Sequence, residues 1–126
     1  MGPHLRRMKS YHPRKRSKKS GSEKQMLKDL KHKISGDIGK LFVFIEEGNT
    51  EQASLAMQQA KNEFLKHSTE MQKIAQKLGD RCASAVRDYL DSVDTIVHSQ
   101  TAWVDEAKIR HCQMMTQKLE KELAVA

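Results

Sequence analysis

The stretch from Met71 to Met115, MQKIAQKLGDRCASAVRDYLDSVDTIVHSQTAWVDEAKIRHCQMM, carries four interlocking rows of residues at one constant spacing. Met71, Cys82, Val93, Val104 and Met115 stand eleven residues apart, and Ile74, Ala85, Ile96 and Ala107 repeat the step. Phe64, Ala75, Val86 and Val97 form a third row, and Leu78, Tyr89, Gln100 and His111 a fourth. Eleven residues in three turns is about 3.67 per turn, close to the natural period of an α-helix, so the stripe stays on one side of a nearly straight rod. The register crosses Gly79 without a change of phase, and one glycine inside a helix costs only about 1 kcal/mol. The spacing therefore predicts a single helix over residues 50–123, about 110 Å long. The alternative is a break at Gly79-Asp80, giving a three-helix bundle of unequal helices.

Upstream, Leu27, Leu30, Ile34, Ile38, Leu41 and Ile45 recur at three- and four-residue steps, one face of a first helix over residues 22–47. Ser22 and Gln25 have the spacing of a capping box at its start. Gly36 and Gly39 weaken it, and Asp37 could re-cap a second piece. Gly48-Asn49 supplies a stop, because both residues tolerate the left-handed conformation. Asn49 or Thr50 then caps the next helix, with Glu51 favourably placed in its first turn. The run Leu41-Phe42-Val43-Phe44-Ile45 is apolar all round and is expected to be buried on both sides, with a membrane interface or a partner groove as the other readings.

A first helix of about 37 Å cannot cover a stripe of about 110 Å. The remainder calls for another chain, so the expected architecture is all-α, an oligomeric coiled-coil or helical-bundle rod. Its interface residues would be Phe64, Met71, Ile74, Leu78, Cys82, Val86, Tyr89, Val93, Ile96, Val97, Trp103, Val104 and Met115, with Trp103 as an interchain anchor. Gln100 and His111 on the stripe would fix register and partner choice.

The charge is unevenly placed. Residues 1–22 hold Arg6, Arg7, Lys9, Arg14, Lys15, Arg16, Lys18 and Lys19 and no acid, while the net charge of the whole chain is +7, which leaves the remainder at −1. With Pro3 and Pro13 also here, residues 1–21 read as a disordered basic tail, built for a polyanionic partner. Pro13-Arg14-Lys15-Arg16-Ser17-Lys18-Lys19 suits the acidic grooves of an import receptor or direct contact with DNA phosphates. A merely solubilising tail is the plain alternative. Arg7-x-x-Ser10 and Arg14-x-x-Ser17 match the preference of basophilic kinases, as many basic tails do.

Catalysis is not expected. His67, His98 and His111-Cys112 lack metal-ligand spacing, and a rod has no cleft to exclude water, so neither a metal nor a cofactor is called for. Gly36-x-x-Gly39 follows no strand that would make it a nucleotide-gripping loop, and close helix approach explains it better. Cys82 and Cys112 would lie about 45 Å apart on one helix, beyond disulfide reach. No apolar stretch has the length of a secretory signal or a membrane span, and the expectation is a reduced, intracellular protein.

A basic arm, a short helix containing Gly36-Asp37-Ile38 and Lys40-Leu41, and a long helix with the single Trp103 together resemble the coiled-coil cores of meiotic chromosome-axis proteins, the lateral-element proteins of the synaptonemal complex. The likeness runs from about residue 14 to residue 115; the stop at Gly48-Asn49 departs from it. The resemblance implies an oligomeric helical core and a basic segment that touches DNA. The resulting expectation is a nuclear, chromosomal structural protein with no small-molecule substrate, whose rod oligomerises with itself or a related chain and whose tail contacts chromatin. A cytoskeletal or kinetochore adaptor binding acidic microtubule surfaces is the rival, and a scaffold on anionic membrane surfaces the third reading, disfavoured because the arm has no Phe, Trp or Ile to insert.

Overall fold

The computed structural model describes residues 2–125, with side chains from Ser22 onward. Four helices follow in order: α1 Gly2–Glu46, α2 Thr50–Leu78, α3 Asp80–Val97 and α4 Glu106–Val125, with a 3₁₀ turn at Thr101–Trp103 between the last two. All regular structure among these residues is helical. α1 packs on α2, α2 on α3, α3 on α4, and α4 returns to α1 along a thinner contact, which closes a four-helix bundle.

The single helix expected over residues 50–123 is therefore not formed. Gly79 has φ +128° and ψ 167°, a conformation almost confined to glycine, and the chain reverses there. A second interruption spans His98 to Asp105. The eleven-residue stripe is folded against itself. Met71, Cys82, Val93 and Val104 are buried and Met115 packs on the core; Ile74, Ala85, Ile96, Ala75, Val86, Val97 and Tyr89 are buried as well. Periodicity reports which side of α2 and α3 faces the core, because a reversal that consumes one residue leaves the phase almost intact. In α4 it does not hold, since Ala107 and His111 of the rows are exposed and Cys112, Leu119 and Leu123 are buried instead.

Two segments of the first helix differ from expectation. α1 does not begin at Ser22 and the tail is not coil: its backbone is helical from Gly2. Lys and Arg are good helix formers, and extending an existing helix avoids the nucleation cost, while Pro13 forfeits one backbone hydrogen bond. Gly36 and Gly39 lie inside the helix rather than splitting it. The stop at Gly48 is as read: φ is +73°, and the Gly48 and Asn49 amides donate to the carbonyls of Ile45 and Phe44 at 3.1 and 2.9 Å. Asn49 is the cap of α2, its side chain accepting from the Gln52 amide at 3.2 Å.

The core grows from these faces. Leu27, Leu30, Ile34, Ile38 and Leu41 of α1 share one buried core with Ala53, Ala56 and Ala60 of α2. Lys118 to Asp88 at 2.8 Å and Arg81 to Glu122 at 3.2 Å pair early residues of α3 with late ones of α4, as antiparallel neighbours must. Such exposed pairs add little stability, about 0–1 kcal/mol each. No helix among the described residues is long and apolar enough to cross a membrane.

The two kinds of glycine should respond oppositely to alanine. Gly79→Ala forces a side chain into the glycine-only region and should cost about 1–3 kcal/mol. Gly39→Ala, whose added Cβ would meet nothing within 4 Å, should gain about 0.5–1 kcal/mol. Paired melting curves read both signs.

Candidate functional site

The basic residues Arg6, Arg7, Lys9, Arg14, Lys15, Arg16, Lys18 and Lys19 have side chains outside the described residues. The stripe residues proposed above as an interchain surface are placed, and most are occupied within the chain. Met71, Ile74, Cys82, Val86, Tyr89, Val93, Ile96, Val97 and Val104 are buried; Phe64, Leu78 and Met115 are partly buried against the same core. Phe64 meets the His98 ring edge to face at 6.2 Å. Trp103 departs from the group: it is 67% exposed, its indole N–H donating to Gln100 Oε1 at 3.1 Å. No surplus stripe among the described residues demands a second chain.

Three places in the bundle gather chemistry. The first is the thin seam between α1 and α4, a groove of about 510 Å³ walled by Ile38, Gly39 and Phe42 on one side and Cys112, Gln113 and Thr116 on the other. Tyr89 of α3 forms its floor, the phenol oxygen 2.6 Å from Ser35 Oγ and donating to the Lys31 carbonyl at 3.4 Å. Lys31 Nζ also reaches Glu120 across the seam at 3.1 Å. Burial pushes the Tyr89 phenol well above its ordinary range, with the Ser35 bond opposing, so the group stays protonated and acts as a strut.

Second is a polar cluster between α1 and α2. His67, nearly buried, has Nε2 2.9 Å from Glu63 Oε2, an oxygen without a hydrogen-bond partner. Asp37 stands nearby. Its carboxyl is raised above its ordinary value of 3.8 by burial first and the Glu63 charge second, with Lys40 pulling the other way. No group of three His, Cys, Asp or Glu among the described residues is arranged to hold a metal.

Third is the end of the bundle where the α1–α2 turn meets the 3₁₀ turn. Phe44, Ile45, Ala53, Ala102 and Val104 line an apolar groove of about 230 Å³ there. Val43, expected to be buried, is 51% exposed beside it in sequence.

The thiols are unsuited to nucleophilic work. Cys82 and Cys112 are both free and buried, and burial raises both, so neither is a thiolate at neutral pH. Sequence reading missed the Tyr89–Ser35 strut, which needs the fold to bring α1 to α3, and the titrating environment of Asp37, which it noted only as a residue that could re-cap a second helical piece. The exposed apolar end was signalled by Leu41–Ile45 and Trp103, but not as one place.

No known protein family, curated protein or solved structure matches this chain.

Asp37 supplies a pH signature. A carboxyl with a raised folded pKa holds its proton more tightly when folded; it favours folding below the unfolded pKa and loses that contribution as pH rises through the raised value. Asp37→Asn, uncharged throughout, should melt higher than the native chain near pH 7. That gain should vanish below about pH 3.8. A gain that persists in acid would assign the effect to packing.

Proposed function

We propose that this is a nuclear assembly protein, in which a helical bundle carries a basic arm that contacts DNA or chromatin; chromosome-axis organisation is the setting that the resemblance noted above implies. One observation carries the reading. Eight cations fall within residues 6–19 with no acid among residues 1–22, whereas the rest of the chain is nearly neutral. Charge concentrated on one arm raises the local density of phosphate contacts and steers association, without involving the bundle core. The buried thiols and the protonated Tyr89 are consistent with a structural rather than a catalytic body.

The rival reading is an adaptor on the acidic surface of microtubules, which uses the same cations. Competition of the intact chain between duplex DNA and microtubules separates the two. Binding to DNA should weaken steeply with salt, with a slope of about −0.9 per phosphate neutralised. Reversing Lys15, Arg16, Lys18 and Lys19 to Glu should abolish DNA binding and shift a tagged protein from nucleus to cytoplasm, with the melting temperature unchanged. DNA binding that survives this reversal would refute the assignment.

A further inference from the structure

We propose that the apolar end of the bundle around Trp103 receives the basic N-terminal arm of a second copy of this chain. The proposal rests on the reading of the arm as the contact element, but it requires no DNA.

The surface comes first. The groove is lined by Phe44, Ile45 and Val104, and next to these in sequence stand Val43 and Trp103, 51% and 67% exposed. A large indole left open beside an apolar groove is the usual make-up of a docking anchor. Its surroundings carry more acid than base: Lys108, whose ammonium donates to the Trp103 carbonyl at 3.0 Å, and Arg110 stand against five carboxylates. Residues 41–60 contain Glu46, Glu47 and Glu51 with no Lys or Arg, and residues 99–107 contain Asp105 and Glu106 with none. All five are exposed. Asp105 caps α4 through the Lys108 amide at 3.0 Å, and Glu106 pairs with Arg110 at 2.6 Å. Glu46 and Glu47 have no such local purpose. They sit at the C-terminal end of α1, where the helix dipole disfavours a negative charge.

The occupant follows from charge and length. This chain contains one segment that is strongly cationic and also carries apolar anchors: residues 1–22, with eight Lys or Arg together with Leu5, Met8 and Tyr11. Arginine over an exposed indole adds a cation–π contact. The arm cannot reach the end of its own bundle. Both belong to the continuous helix Gly2–Glu46, and residue 16 is thirty residues before Glu46, about 45 Å along the axis. The contact must therefore be made between copies. One arm meeting one remote end is a heterologous contact, which propagates unless it closes into a ring.

Light scattering of the full chain over a concentration series tests this. At about 50 mM salt the native chain should associate progressively, and near 1 M salt, where the screening length falls to about 3 Å, it should disperse. Glu46→Lys with Glu47→Lys should abolish association while leaving the melting temperature equal or higher, because cations suit the end of α1. Reversal of Lys15, Arg16, Lys18 and Lys19 to Glu should abolish it as well. An equimolar mixture of these two variants should associate again, since each then offers what the other lacks. Trp103→Ala should raise the concentration needed for association by about tenfold or more. A native chain that stays monomeric at low salt, association indifferent to the Glu46 and Glu47 reversals, or a mixture that does not recover would each overturn the proposal. Duplex DNA binding by the Glu46→Lys, Glu47→Lys variant is the separate readout. If it persists while association is absent from every form, the inference fails and the DNA-binding arm stands.

Discussion

The bundle depends on a chain reversal made by a single residue. Gly79 separates α2 from α3 with no loop, at a φ of +128° that a side chain would oppose. Because the turn is so short, the two helices must lie against each other from their first residues. Ile74 and Ala75 before the turn and Cys82, Ala85 and Val86 after it are then committed to one core. That commitment orients the rest of α3, whose Tyr89 reaches α1 and whose Asp88 is met by Lys118 from α4. A straight helix through this point would leave the same apolar residues exposed along a rod.

Polar groups complete what the apolar stripes begin. Tyr89 is 1% exposed, and its hydroxyl finds Ser35 Oγ at 2.6 Å, so a large ring is buried without an unpaired donor. Ser92 and Thr116 turn their hydroxyls onto carbonyls of their own helices, at 2.6 and 2.8 Å. The Glu63–His67–Asp37 group is the exception, a set of polar side chains gathered at α1 and α2 with one carboxylate oxygen of Glu63 lacking a hydrogen-bond partner.

Much of this was legible from the residues. Helical content, the buried faces of α1 to α3, the stop at Gly48 and the cap at Asn49 follow from periodicity and from the preferences of Gly and Asn. The reversal at Gly79 was not, for a definite reason: rows such as Met71, Cys82 and Val93 keep their phase whether the helix continues or doubles back, and the decisive variable is one backbone angle. The 3₁₀ turn at Thr101–Trp103 was hidden likewise, because Val104 stays in register with the stripe. Trp103 was noticed, but a rod would have given it a neighbouring chain, whereas the bundle leaves it in water. Contacts such as Tyr89 to Ser35, fifty-four residues apart, have no trace in local pattern.

The order in which helices pair has a kinetic meaning. Each helix packs chiefly on the one that follows it in the chain, and only the α1–α4 seam joins the two ends. Most contacts are therefore closed over short loops, a topology of low contact order that favours fast folding. It also gives a direction to folding during synthesis. α1 and α2 can pair as soon as both have emerged, α3 can turn back on α2 at Gly79, and α4 arrives last to cover Tyr89 and shut the seam.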